Sequence, residues 1–424
     1  MVKFDINILF KEGLMNKFFQ LSFVFALIAL FFSCAKGGRS GPSNPQNLPP
    51  IGGQQKTPVA ATTETETLQP VLDAGVRSLE WLNKINATRD TANRLNLADT
   101  TTKNPVPPES PKVSSTDLIL TQFEKRKTAA PASIFSVIFE NANLTENPPI
   151  PDADFLKIIR GFNSSYQGAL RWLGHQPWLD YYEKNATYDI RGYYFFNKNP
   201  DLVLALKEEP ALTNTQKQNA IEWLVSMCKN SEIKYDECLQ EVNTAVTTNT
   251  LSQVYNKYLA KSESTYNDFF KVNPLREDLK WNINKTVITQ DFITPNLQKV
   301  SDWFKTNVEA EWKLSGFQLM INFVQQNDFS PFLEFVKGVT PHVSGDTWNK
   351  ITMDPDYSLE DYDTQWTIRH EFGHVLGFPD CYLEFYNKES KEMIYYTIEP
   401  DNLMCAWGGS LKPKHVDELK REYK

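Results

Sequence analysis

Positive charge is in short supply. Lys and Arg number 44 against 52 Asp and Glu, a formal net charge of −8, which excludes a nucleic-acid binder held by bulk electrostatics. Histidine and cysteine are scarcer, at five each, and glycine reaches only 18 in 424 residues, so the placement of each is informative. Long apolar runs are missing too. The stretch Phe18 to Phe32 has Gln20 and Ser22 as its only polar members. At about fifteen residues it is short for a transmembrane helix and right for the apolar core of an export signal. Core-forming material is not missing: 41% of residues are hydrophobic and 13% aromatic. That excludes wholesale disorder, and the length suits two or three domains. No internal repeat is present.

Lys17 precedes the apolar stretch, which ends Leu30-Phe31-Phe32-Ser33-Cys34. A small residue followed directly by Cys resembles the lipobox of bacterial lipoproteins. The resemblance implies a signal peptide over residues 1–34 and Cys34 as the lipidated mature N-terminus. The two Phe before Ser33 match that pattern loosely, and an ordinary signal peptide or membrane anchor with an incidental Cys is the competing reading. Met15 is a suitable true start. Residues 35–67 hold five Gly and five Pro among Ser, Thr, Gln and Asn, too little apolar surface to fold. They are expected to act as a disordered tether with a reach on the order of 30 Å. Ala35 is not the Asp of an inner-membrane retention signal, so the expected location is the bacterial cell envelope, lipid-anchored at the outer membrane or cell surface.

With Cys34 committed, Cys228, Cys238, Cys381 and Cys405 remain. An even number in an exported chain argues for two disulfides. Three connectivities are open; the local pairing, Cys228–Cys238 and Cys381–Cys405, is the simplest.

Residues 68–116 read as a helix followed by a Pro-rich linker with Pro105, Pro107, Pro108 and Pro111. Residues 117–273 are mainly helical by spacing, with segments such as Phe155 to Trp172, Gln216 to Met227 and Leu251 to Phe270. After Pro274 the pattern changes. A strand at Thr286 to Thr289, a helix from Asn296 to Lys313, a buried strand from Phe317 to Val324 and a short strand at Lys350 to Met353 precede a final motif-bearing helix. The expected class is α+β, with a catalytic domain over residues 274–424 behind a mainly α-helical region.

Residues 370–380 read His-Glu-Phe-Gly-His-Val-Leu-Gly-Phe-Pro-Asp. On a helix His370 and His374 lie one turn apart on one face and can share a zinc ion through imidazole nitrogens. Glu371 projects beside them as a general base for water activated at the ion. Ile368, Phe372, Val375 and Leu376 supply the buried sides. Gly377 ends the helix, since Gly takes the left-handed turn without strain, and Asp380 then arrives as a third ligand. By composition, a chance H-E-x-x-H is expected on the order of 0.005 times in this chain.

The string resembles the metzincin clan of zinc metallopeptidases, in the variant with Asp as third ligand, as in snapalysin-like enzymes. Asn402-Leu403-Met404 is similar to the clan's Met-turn, and Leu411 to Leu419 resembles its closing helix. The resemblance covers residues 280–424. It implies Zn2+ bound by His370, His374 and Asp380, Glu371 as base, and Met404 beneath the ligands. Where some members place a Tyr two residues after that Met, this chain has Ala406; Tyr382, Tyr395 and Tyr396 are candidates for its role. Joining Cys381 to Cys405 would pin the third ligand to the Met-turn; a thiolate zinc ligand at Cys381 is the competing reading. A carboxylate ligand lowers the site charge, so a neutral or alkaline pH optimum is expected.

The expected function is thus a lipid-anchored, exported zinc endopeptidase acting on protein or peptide substrates, with no nucleic-acid partner. Substrate is expected to add to an edge strand at Ile351 to Asp354. The alternative is a surface-exposed binding lipoprotein with an inert or auxiliary metallopeptidase domain. His175 and His342 are expected to be structural or superficial, His415 a polar surface residue, and the acidic run Asp354, Asp356, Glu360, Asp361 and Asp363 a solvated loop rather than a calcium site.

Overall fold

A computed structural model describes residues 61–98, 112–185, 189–208, 212–273, 276–336, 339, 341–344, 348–355, 357–406 and 408–423. The expected signal peptide, Cys34 and residues 35–60 of the expected tether lie outside them, as do residues 99–111 of the expected Pro-rich linker. No helix among the described residues is long and apolar enough to cross a membrane. The fold is mixed α/β, with helix predominating and small mixed sheets.

Thirteen α-helices and ten strands are used below. The first helix, α1 (Ala61–Ala87), starts earlier than its apolar periodicity announces. Thr116 and the Trp172 indole both donate to the Glu64 carboxylate, which ties its first turn to the helices behind it. Leu68, Val71, Ala74, Trp81 and Ile85 then bury one face. They pack with Ile119 and Phe123 of α2 (Thr116–Ala129), Ile134 of α3 (Ala132–Phe139), and Phe155, Ile159 and Phe162 of α4 (Asp152–His175). A second helical cluster is built from α8 (Asn214–Lys229), α9 (Tyr235–Thr248) and α10 (Leu251–Asp268). Thr213 and Gln216 form a reciprocal cap at the start of α8. The short helices α5 (Leu179–Asn185), α6 (Arg191–Lys198) and α7 (Pro200–Ala205) lie between the two clusters in sequence.

The third cluster carries the sheets. Strand β3 (Val287–Ile293) runs parallel to β5 (Phe317–Val324), with α11 (Gln298–Glu311) between them in sequence. Sheet order is β2 (Leu279–Trp281), β3, β5, β4 (Lys313–Leu314). A smaller sheet follows in the order β6 (Phe332–Phe335), β8 (Lys350–Met353), β7 (His342–Ser344). Here the structure corrects the expected edge strand. β8 is hydrogen-bonded on both sides, to parallel β6 and antiparallel β7, so its backbone has no free edge. β6 and β7 are the outer strands.

The helix α12 (Tyr362–Val375) carries the histidines. After it come a hairpin, β9 (Leu383–Asn387) and β10 (Glu392–Tyr396), and the last helix, α13 (Pro413–Glu422). The end of the expected linker is β1 (Lys112–Ser114), which pairs with β10 and makes a three-stranded sheet. That hairpin sends Met393 into the first helical core. In return Ile190, Tyr194, Phe195, Phe269 and Val272 join the core of the sheets. The cores therefore interlock across residue 273, where the sequence pattern places a domain boundary. The cause is long-range apolar contact, which local periodicity does not report.

Candidate metal centre

The helix α12 is fixed before it offers any ligand. Asp361 caps its N-terminus, accepting from the Asp363 N–H at 2.9 Å. Phe372 packs on Phe304 and Phe292 at 5.8 and 6.4 Å between ring centres. The Trp312 indole donates to the Arg369 carbonyl at 3.1 Å. These contacts leave His370, Glu371 and His374 buried at 4%, 6% and 7% exposure.

The helix ends as its Gly pattern requires. Gly377 has φ +89°, the Phe378 N–H donates to the Gly373 carbonyl at 3.0 Å, and the Gly377 N–H to His374 at 2.9 Å. This paired closure satisfies two orphan carbonyls and turns the chain back. The Asn273 N–H bonds the Gly377 carbonyl at 2.8 Å, and the Tyr423 hydroxyl bonds that of Leu376 at 2.9 Å. Asp380 is thereby delivered to the two histidines.

His370 Nε2 lies 2.9 Å and His374 Nε2 3.2 Å from Asp380 Oδ1. The three ligand atoms lie within 4.8 Å of one another, and this is the one such convergent set among the described residues. The opposite ring nitrogens decide what they can do. His370 Nδ1 faces the Leu403 carbonyl at 2.9 Å, and His374 Nδ1 faces that of Phe378 at 2.7 Å. A carbonyl only accepts, so each Nδ1 carries the proton and each neutral ring keeps its lone pair on Nε2. Two lone pairs and a carboxylate oxygen then converge on one point. Such a donor set repels itself unless a cation sits there, and two imidazoles with one carboxylate suit zinc.

Without the ion, a proton serves. Burial opposes charge on His374, but the Asp380 carboxylate and then Glu371 overcome it and push the imidazole up to about 9. Against its own burial, Asp380 is held well below the usual carboxylate range by the two imidazoles. Glu371 Oε2 is buried with no hydrogen-bond partner.

Beneath the helix lies Met404, 2% exposed. A Cβ on Gly373 would meet Met404 Sδ at 2.2 Å, so only Gly at that position lets the thioether approach. The same turn serves the ligands twice: its Leu403 carbonyl holds His370, and its Met404 carbonyl accepts the Cys381 N–H at 3.1 Å. The disulfide Cys381–Cys405 closes this arrangement, with Cα atoms 4.4 Å apart, so Cys381 is not a thiolate ligand. Cys228–Cys238 joins α8 to α9.

Aromatic rings wall the site. Trp366 lies 4.9 Å from the His370 ring, Tyr382 stacks on it at 6.4 Å, and Trp348 meets His374 edge-on at 5.7 Å. Burial, then the Asp380 and Glu384 carboxylates, hold the Tyr382 phenol far above its ordinary range, with Arg171 acting against them and Glu371 with them. Tyr395 and Tyr396 turn instead to Arg171 and Arg191 of the helical region. His415 departs from expectation. It is 2% exposed and packs on Phe378 and Trp312, because α13 lies against the turn that follows the metal helix. Burial and Lys414 hold it down at about 3. His175 is not isolated: its Nε2 lies 3.3 Å from Glu384 Oε1. The acidic run contributes no convergent set among its described members; Asp354 is buried and Asp361 caps α12. Trp348, Arg171 and Glu384 carried no sequence signal, since nothing local relates them to the motif.

No protein-family model, curated protein or solved structure matches this chain.

Proposed function

We propose that this protein is a zinc-dependent endopeptidase with a metzincin-like catalytic region over residues 274–424, exported and held at the cell envelope through a lipid on Cys34. The observation that carries the reading is the pair of carbonyl-fixed histidines, whose Nε2 lone pairs meet Asp380 beside an unpartnered Glu371 oxygen. Both disulfides are consistent with an oxidising compartment.

His370, His374 and Asp380 would hold zinc, which would supply the Lewis acidity to polarise a peptide carbonyl and make water nucleophilic near neutral pH. The residues supply the rest. Glu371 takes the proton from the attacking water on its free oxygen and passes it to the leaving amine nitrogen. The Leu403 and Phe378 carbonyls keep both imidazoles in the ligand tautomer throughout. The Met404 side chain and the Cys381–Cys405 bridge hold the floor on which Asp380 rests. Trp348 and Trp366 keep the histidines out of bulk water. An extended substrate adds to β7, one of the two outer strands, rather than to β8.

The test compares casein and peptide-library cleavage by wild type and Glu371→Ala, with bound zinc measured in both. Zinc at one equivalent in each, with activity lost by about 100-fold or more in the variant, is the expected result. Equal residual activity, or a zinc-free wild type, refutes the proposal.

A further inference from the structure

Outside the metal centre, unmet polar groups gather at one place. Arg171 Nε, His175 Nδ1, Glu384 Oε1 and the Tyr395 hydroxyl are all buried without a hydrogen-bond partner. The four residues touch one another. His175 Nε2 lies 3.3 Å and Arg171 Nη2 3.7 Å from Glu384 Oε1, and the Arg171 guanidinium lies over the Tyr395 ring at 4.9 Å. Glu384 and Tyr395 are cross-strand partners on β9 and β10, while Arg171 and His175 are one turn apart at the end of α4.

Buried polar atoms are rarely left unpaired, so such a cluster calls for a ligand. Its character follows from the guanidinium. A guanidinium lying over an aromatic ring still has its in-plane N–H groups, which can grip a carboxylate with two parallel bonds. Arg171 has one long ion pair with Glu384 and lies against Tyr395, its Nε has no partner, and its side chain keeps 40% exposure. The Tyr395 hydroxyl adds a donor. Burial, then Arg171, hold His175 down at about 3, so it stays neutral. Burial pushes the Glu384 carboxyl upward, with Arg171 and Tyr395 acting against it.

The cluster adjoins the metal centre. Glu384 follows Asp380 by four residues, and Tyr382, stacked on His370, stands between them in the chain. We propose that Arg171 and Tyr395 form a carboxylate-binding subsite beside the metal, so that preferred substrates are peptides carrying a carboxylate near the scissile bond. The inference rests on the peptidase reading and gives the helical region a role: α4 supplies specificity to a site whose ligands lie about 200 residues away in sequence.

Two sources offer this carboxylate, a free C-terminus and an acidic side chain, and four matched peptides separate them: a C-terminal acid, its amide, an internal Glu peptide with an amidated end, and its Gln counterpart. Zinc-loaded wild type is expected to favour one acid over its neutral match by about 10- to 100-fold in kcat/KM, mostly through KM. Arg171→Gln should bring that ratio close to one, and Arg171→Lys should keep part of it. Calorimetric binding of the same peptides to Glu371→Gln, with and without Arg171→Gln, reads the subsite without turnover. If the Arg171 variants lose zinc or fold, Tyr395→Phe keeps the stacked ring and should still lower the acid preference severalfold. Equal handling of acid and neutral peptides by the wild type, or a preference that survives in folded Arg171→Gln and in Tyr395→Phe, overturns the subsite. If nothing is cleaved but acid peptides bind through Arg171, the peptidase reading fails and the subsite stands.

Discussion

Gly373 sits inside the metal helix, where Ala would ordinarily be preferred by about 1 kcal/mol. Here the preference should reverse. A methyl at that position meets Met404 Sδ at 2.2 Å, Met404 Cε at 2.9 Å and Trp312 Cζ2 at 3.2 Å. Met404 cannot retreat as a unit. Its N–H donates to Asn402 Oδ1 at 2.9 Å, and its carbonyl accepts from Cys381. Its side chain alone must turn within a closed space, an overpacking that costs about 1–3 kcal/mol. Gly373→Ala should therefore melt below the wild type and bind zinc about tenfold or more weakly, because the crowded Met404 side chain presses on the turn whose Leu403 carbonyl orients His370. Met404→Ala alone opens a cavity and should cost about 2–5 kcal/mol. In the double variant the new methyl meets no thioether and fills part of that cavity. It should melt above Met404→Ala, with a coupling of about 1 kcal/mol or more in a double-mutant cycle. Thermal melts and zinc competition against a chelator read both quantities. A Gly373→Ala protein that melts higher with unchanged zinc affinity, or two substitutions that simply add, refutes the packing argument.

Removing the Cys381–Cys405 bridge as a double Ser variant should cost about 3 kcal/mol, since a sequence separation of 24 closes a loop of that entropy. It should also weaken zinc more than loss of Cys228–Cys238 does; equal zinc affinity in the two variants would contradict the pinning of Asp380. His374 gives a pH dependence. Its raised pKa, about 9 against an ordinary 6.5, means that its pair with Asp380 stabilises the metal-free protein fully below pH 6.5 and is lost as pH rises through 9. Zinc requires the neutral ring, so uptake at pH 7 should release about one proton and affinity should climb about tenfold per pH unit; calorimetry in buffers of different ionisation heat measures this, and no proton release would count against it. Arg191 clasps the buried Asp189 through Nε and Nη2 at 2.8 and 2.6 Å. Arg191→Met should cost about 3–5 kcal/mol in urea unfolding by stranding that carboxylate, and a loss below about 1 would show that Lys229, 3.8 Å away, replaces it.

Regular periodicity was legible wherever one element buries one face. Phe155 to Trp172, Leu251 to Phe270 and Phe317 to Val324 fall within or against the observed elements for that reason. The strands of the hairpin, and β6 and β7 of the smaller sheet, escaped notice. They are short, and β6 and β9 show no clean alternation of buried and exposed positions. β8 read as an edge because nothing in Ile351 to Asp354 announces partners on both sides; β6 and β7 come from separate loops.

The spacing of His370, Glu371 and His374 and the Gly377 stop are properties of the chain's order, and local geometry suffices to interpret them. Ligand spacing on a helix is set by its pitch, and a left-handed turn by the absence of a Cβ. Three matters belonged to the tertiary structure alone. The Leu403 and Phe378 carbonyls select which imidazole nitrogens are free. Gly373 is kept bare by Met404 beneath it. Arg171 of a distant helix stands against Glu384 of the hairpin. Each depends on contact between segments whose separation in sequence carries no distance information, because only the closing of the cores brings them together.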